Sequence, residues 1–308
     1  MEGSRVIVFG YGSLGLAALE TCDRLGVVPA AVVVPGNRQG YDVDVIAARA
    51  RERGWPLLVQ PLRNRLQPFL EAVRALAPDV LLVWSYPMIL PPELIAVPAK
   101  GAFNLHSGLL PGYRGGHTMN WALINGERET GVTLHHLDAG IDTGPVVDEQ
   151  RFAIEWADDI VTVHQKLKVA GEALLMKWWP AIAQGSAPGT PQDESRAVYH
   201  RMRTAADGRV DWSASSVAIY NLVRALAAPW PGALTTIGGT TVVIRLSEPV
   251  DSAAGIAPPG TVVRIDEDGP VVSAGQGQVK LLRLEVAGQQ VTPDDLHRMG
   301  ALPGARFE

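Results

Sequence analysis

The sequence predicts an α/β protein in two parts, a parallel sheet wrapped by helices and then a small β-barrel. Three observations predict it. In the first half, short apolar runs alternate with stretches of helical periodicity. One of those runs, Ala30–Val34, is wholly small or β-branched, as in a strand buried on both faces. Beyond Leu226 the chain changes to short strands separated by Gly-rich turns.

Taken in order, Val6–Phe9 reads as a strand and Ser13–Leu25 as a helix. The strand Ala30–Val34 follows, then a helix over Val43–Arg53 that Gly54 stops. Leu57–Gln60 is a short strand, and Leu66–Leu76 is a helix with Pro78 beyond it. Val80–Val83 and Ala102–Leu105 are strands, the second delivering Asn104 and His106 at its C-terminal end, where open α/β sheets bind ligands. Gly116–Asn125 reads as a helix, Val132–Leu137 and Val146–Phe152 as strands. Helical spacing runs over Ile160–Ala183, with Trp178 and Trp179 read as packing and Pro180 as a kink. Gln184–Glu194 is rich in Gly, Pro, Ser and Asp, a linker composition. After a helix at Val217–Leu226 come strands at Thr235–Arg245, Gly260–Ile265, Val271–Ala274 and Val279–Val286. The expected division is a first domain over 1–185, a linker over 186–206 and a barrel domain over 207–308.

The 308 residues suffice for two domains, and a hydrophobic content of 47% suffices for their cores. Lys and Arg number 27 against 32 Asp and Glu, a net charge of −5. Large nucleic acids are held by basic faces, and no run of Lys or Arg stands out. The single cysteine, Cys22, excludes an intrachain disulfide and a multi-cysteine metal site; it reads as a buried structural thiol. Met-Glu-Gly-Ser-Arg lacks the pattern of a signal peptide, and no apolar run approaches the ~20 residues of a membrane span. A cytoplasmic protein is expected, and a homodimer is compatible with it.

Gly10-Tyr-Gly12-Ser-Leu-Gly15 follows a strand and opens a helix, as a dinucleotide fingerprint does. That site also wants an acidic residue ending the second strand. Here the strand runs into Val34-Pro35-Gly36-Asn37, and the first acid is Asp42. The glycines therefore read as close packing of helix on strand, with an NAD(P)-dependent oxidoreductase as the alternative from a different class.

The chemistry gathers between Phe103 and Gly144. Asn104 and His106 lie two positions apart, so on an extended strand they point the same way. Asn offers an amide donor to an oxyanion, and His titrates near neutrality and relays protons. Asp142, thirty-six residues beyond His106, can orient the imidazole, hold its charge or itself accept a proton. Around them stand Leu109-Leu110-Pro111, Tyr113-Arg114-Gly115, Asn120-Trp121, Gly126-Glu127, Thr130-Gly-Val-Thr133 and Asp142-Thr-Gly144. In that order these motifs resemble the folate-dependent formyltransferases, nearest to the sugar-nucleotide N-formyltransferases and methionyl-tRNA formyltransferases. Trp84-Ser-Tyr-Pro-Met-Ile-Leu-Pro91, Asp207–Trp212 and Pro229–Ala233 extend the likeness over most of the chain.

The resemblance implies a Rossmann-like formyltransferase domain and a C-terminal OB-like barrel. It implies 10-formyltetrahydrofolate as co-substrate, no metal, and a catalytic trio of Asn104, His106 and Asp142. It places Met88, Ile89 and Leu90 against the pterin through their backbone, with Asp138 beside it. His135 and His136 face opposite ways on a strand and share no metal; His136 is assigned to the folate pocket, with a core or surface role the plainer reading for either. Arg114 and His117 are assigned to the acceptor, each with a structural role equally open. Arg201 and Arg203 read as solvated charge, with contact to a diphosphate as the alternative. Ser107-Gly108-Leu109 and Gly116-His117 depart from the family pattern, and Gly36–Gly40 lacks the basic loop of the tRNA enzymes. The expected acceptor is a small-molecule amine, foremost a nucleotide-linked amino sugar. An N-hydroxyornithine-type siderophore precursor comes next, then methionyl-tRNA. A third class, an RNA-binding module with a vestigial first domain, would show salt-sensitive binding.

Overall fold

The computed structural model describes residues 4–250 and 257–308. The first three residues of the pentapeptide Met-Glu-Gly-Ser-Arg lie outside them. The chain divides into two compact units. The first gathers residues up to Gly115 with Thr130–Phe152 and Gln165–His200; the second gathers Gly116–Glu129, Ala153–His164 and Arg201 onward.

The first unit is built on a sheet of seven strands among the described residues. In chain order its elements are β1 (Val6–Gly10), α1 (Gly12–Arg24), β2 (Ala31–Pro35), α2 (Tyr41–Glu52), β3 (Leu57–Gln60), α3 (Leu66–Ala75) and β4 (Val80–Trp84). There follow α4 (Pro92–Ile95), β5 (Ala102–His106), the short β6 (Arg114–Gly115), β7 (Glu129–His136) and β8 (Val146–Ala153). The long α6 (Ile160–Gln184) continues past Pro180, and β9 (Tyr199–His200) pairs with β6. The sheet order is β3-β2-β1-β4-β5-β7-β8. β1, β2 and β4 are buried at every position, as Val, Leu and Ile runs covered on both faces must be. The chain winds outward from β1 to β3, then returns to β1's other side with β4, so the switch point falls between the ends of β1 and β4.

The sheet is parallel from β3 through β5, and β7 then runs antiparallel to β5. Asn104 stands opposite His135, and His106 opposite Thr133. The glycine turn after β1 packs as anticipated. A Cβ on Gly15 would lie 2.7 Å from the Cα and carbonyl carbon of Gly10, so helix and strand approach only because neither residue has a side chain. Cys22 is buried on α1, and burial pushes its thiol up to about 12. Trp179 is buried, and the Trp178 indole donates to Asp148 at 2.7 Å. Residues 186–200 run with the first unit, Thr190 pairing with Val146 through reciprocal backbone bonds.

The second unit contains α5 (Thr118–Ile124) and α7 (Ser216–Ala225), the latter capped by Ser215 accepting from the Ala218 amide. Its strands are β10 (Ala233–Ile237), β11 (Thr240–Val250), β12 (Val262–Asp266), β13 (Gly269–Ser273), β14 (Gln278–Val286) and β15 (Gln289–Gln290), with α8 (Pro293–Arg298) after them. The strand expected over Thr235–Arg245 is instead an antiparallel hairpin, β10 and β11, turning at Gly238-Gly239. Both glycines have positive φ, as tight hairpin turns require; reading through them missed the turn. The order is β10-β11-β14-β13-β12. The segment 304–308 closes it: Val262 donates to Ala305 and Phe307 to Gly260, while Thr236 and Glu308 exchange two bonds. The barrel encloses Trp212, Val242, Ile244, Val272, Leu281 and Phe307.

Candidate active site

The site is assembled in the first unit from the end of β5, the facing part of β7 and the loop after β7. The period-two alternation of a strand puts Asn104 and His106 on one face of β5. The antiparallel register then puts His135 on that same face, directly across from Asn104. Asp142 comes from the β7–β8 loop. Its φ of 55° is left-handed, a conformation Asp tolerates at a cost. The loop is held there by Gln192, whose amide donates to the carbonyls of Asp142 (2.8 Å) and Gly144 (2.7 Å). The Gly115 amide donates to Asp142 Oδ2 at 2.8 Å.

Hydrogen-bond partners assign the protons. His135 Nδ1 lies 2.8 Å from the His136 carbonyl, which only accepts, so Nδ1 carries hydrogen. In the neutral ring Nε2 is then an acceptor, and Asn104 Nδ2 donates to it at 3.1 Å. Burial drives the His135 imidazole down to about 4, with His106 adding to the shift and Asp142 opposing it. The ring is therefore neutral at physiological pH, and its 3.7 Å approach to Asp142 Oδ1 is not an ion pair. His106 Nε2 sits 2.5 Å from the Tyr113 carbonyl and so also carries hydrogen. This turns His106 Nδ1 toward Asp142 Oδ1, 3.5 Å away. The loop after His106 is pinned by Thr133, which donates to Gly108 O at 2.7 Å and accepts from the Leu110 amide at 3.2 Å.

The structure thus brings Asn104, His106 and Asp142 together and adds His135, which the sequence reading left in the core or on the surface. The signal lay in the spacing: once β5 and β7 are neighbours, register alone puts His135 beside Asn104. His136 points the other way. Its ring packs on Phe103 at 4.7 Å, and its Nε2 bonds the Pro188 carbonyl. Asp138 is exposed and closes its own turn, accepting from Gly140 N and Thr143 Oγ1.

Arg114, assigned above to the acceptor, is instead turned inward and fully buried. Its guanidinium donates to Glu194 through Nη1 and Nη2, to Gln192 through Nε and Nη2, and to the Tyr199 hydroxyl. It therefore braces Gln192, which in turn braces Asp142. His117, in the second unit, has a φ of 54° and accepts the Arg203 amide at Nδ1 (3.0 Å) while its ring meets Trp230 edge-on. Burial, reinforced by Arg203, lowers its pKa and keeps Nδ1 available as an acceptor.

The loop Trp84–Pro91 leaves β4 at the switch point. Ser85 has a φ of 53°, and Ile89 is 72% exposed. Among the described residues the backbone amides of Met88, Ile89 and Leu90 donate to no backbone carbonyl. The side-chain oxygen of Gln60, whose Nε2 reaches the Ile89 carbonyl, is buried without a partner. Unused donors and acceptors beside an exposed apolar side chain fit a flat, multiply hydrogen-bonding ring such as a pterin. Among the described residues no three His, Cys, Asp or Glu side chains are grouped to hold a metal ion, and no helix is long and apolar enough to cross a membrane.

Comparison with known proteins bears on the family and the fold. Residues 5–178 match the formyl transferase family, and residues 203–297 match the formyl transferase C-terminal domain. Methionyl-tRNA formyltransferase of Myxococcus xanthus (strain DK1622) is 35% identical over 295 residues, spanning 94% of this chain and 93% of that protein. Among solved structures, an N-formyltransferase from Helicobacter canadensis in complex with folinic acid and dTDP-3-aminofucose superposes with a TM-score of 0.71 at 20% identity, covering 94% of this chain and all of that one. HypX from Aquifex aeolicus in complex with tetrahydrofolic acid superposes with a TM-score of 0.64 at 18% identity, covering 97% of this chain and 48% of that one. The chain belongs to the folate-dependent formyl transferase family. It is an enzyme that transfers a formyl group, with 10-formyltetrahydrofolate as co-substrate.

Proposed function

We propose that the acceptor is the amine of a small molecule, foremost a nucleotide-linked amino sugar, and that Asn104, His106 and Asp142 carry the transfer. The amine attacks the formyl carbon. One Asn104 N–H is committed to His135, which aims the second N–H of the same amide at the developing oxyanion. The amine loses a proton, which the His106–Asp142 pair takes up, and His106 returns a proton to the departing folate nitrogen. His135 serves as a positioning residue, because only its neutral ring accepts from Asn104. The backbone at Met88, Ile89 and Leu90 would hold the pterin. The single observation that carries this reading is the convergence of Asn104, His106, His135 and Asp142 on one sheet face.

A small acceptor is supported by charge. Residues 201–308 hold ten Lys and Arg against eleven Asp and Glu, and the loop 36–40 holds one Arg. Neither offers the basic excess that phosphate backbones need. Solved relatives that act on sugars share the fold. The competing acceptor, methionyl-tRNA, is favoured by the 35% identity to the Myxococcus xanthus enzyme. Incubation with 10-formyltetrahydrofolate and a panel of amino-sugar nucleotides, N-hydroxyornithine and methionyl-tRNA separates them by mass spectrometry. A formylated amino-sugar nucleotide is the expected product; formylation of methionyl-tRNA alone would overturn the proposed acceptor.

A further inference from the structure

The second unit contains a guanidinium with nothing to hold. Arg203 is partly buried, and its Nε is shut off from solvent without a hydrogen-bond partner among the described residues. The neighbouring carboxylate, Asp207, is already taken: Arg201 binds both its oxygens, and Thr204 donates to it through amide and hydroxyl. The other arginines of this unit that enter the fold are satisfied. Arg224 donates to Asn221 and to three backbone carbonyls, and Arg245 to Glu285 and the Trp230 carbonyl. Burial pulls the Arg203 guanidinium below the ordinary arginine pKa, with Arg201 adding to the shift and Asp207 opposing it. A partly desolvated charge with its Nε left unpaired is costly, and a site of this kind is relieved by an anion.

The surroundings are shaped for one. Arg203 lines a cavity of about 190 Å³ whose other walls include Thr204, Leu226, Trp230, Pro231 and Leu234. The segment that presents Arg203 is fixed from behind. The Trp121 indole donates to the Arg201 carbonyl at 2.9 Å, and His117 accepts the Arg203 amide. Trp230 is fixed too, its carbonyl bound by Arg245 and its ring against His117. A single planar cation at one end and an apolar wall with an indole at the other select a molecule with both features.

We propose that this cavity binds the oxyanion end of a small molecule, a phosphate or carboxylate held by Arg203, with a flat or apolar body against Trp230, Leu226 and Pro231. The inference does not depend on the transfer chemistry, since every residue in it belongs to the second unit.

Phenyl phosphate joins the two features and serves as the probe, with benzoate and inorganic phosphate beside it. Titration of the full chain by calorimetry should give saturable phenyl phosphate binding that weakens with added salt and exceeds that of inorganic phosphate. Arg203→Gln should weaken it by about tenfold or more, and Trp230→Leu should bring its affinity toward that of inorganic phosphate. Tighter benzoate binding would assign the anion as a carboxylate, tighter phenyl phosphate as a phosphate. Inhibition of formyl transfer competitive with the acceptor would mark the anion as the acceptor's own; binding without effect on transfer would mark a separate ligand. The melting temperature of Arg203→Gln should equal or exceed that of the native chain, because an unpaired charge has been removed. A lower melting temperature would reveal an internal partner for Arg203 and overturn the proposal. So would the absence of saturable binding, or binding that Arg203→Gln leaves unchanged.

Discussion

His135 makes a prediction that can be worked from its surroundings. The imidazole is wholly buried, and its pKa falls from the ordinary 6.5 to about 4. The folded state therefore refuses a proton that the unfolded chain accepts between those values. Unfolding is favoured as pH falls through that window, and the contribution is fully present above 6.5. Linkage puts the loss at about 2 kcal/mol by pH ~5 and about 3 kcal/mol near pH ~4. His135→Gln keeps a side-chain acceptor for Asn104 and does not titrate. Urea unfolding followed by fluorescence across this range should give the native chain a steeper decline in stability than the variant, with the difference reaching about 2 kcal/mol at pH ~5. Parallel declines in the two proteins would refute the argument, and with it the neutral, Asn104-facing tautomer.

Further expectations follow from other contacts. Gln192→Ala removes both bonds that hold the Asp142 loop in its left-handed turn, and turnover should fall by about tenfold to a hundredfold with the fold intact; full activity would show that the loop holds itself. Cys22, with its thiol pushed up to about 12, should resist iodoacetamide at neutral pH until denaturant is added; rapid labelling of the folded chain would contradict its burial. Gly15→Ala drives a methyl into the backbone of Gly10 and should cost about 1–3 kcal/mol. An unchanged melting temperature would leave the glycines without a packing role and reopen the dinucleotide reading.

Much of this arrangement was legible beforehand for physical reasons. Strands such as Val6–Phe9 and Val80–Val83 are buried on both faces, so their composition marks them without help from context. Asn104 and His106 could be paired because alternation along one strand is a local property. His135 could not, because its place depends on which strand lies beside β5 and in which direction, and neither is written in its neighbours. The same holds for Arg114. An Arg in the same stretch as Asn104 and His106 suggests a substrate contact, yet its partners Gln192 and Glu194 lie some eighty residues away in sequence. Arg203 shows the reverse error, a residue that reads as surface charge and is found stripped of partners at a cavity. The hairpin at Gly238-Gly239 is a turn signal set inside a run of strand-forming residues, which masks it as one continuous strand.

The proposed chemistry turns above all on Asn104 as the oxyanion donor. The direct measurement is single-turnover formyl transfer from 10-formyltetrahydrofolate to whichever amine the panel selects, comparing the native chain with Asn104→Ala at matched thermal stability. Loss of one preorganised donor should slow the chemical step by about 10²–10³ with folate binding retained. Transfer at the native rate in Asn104→Ala would contradict the mechanism.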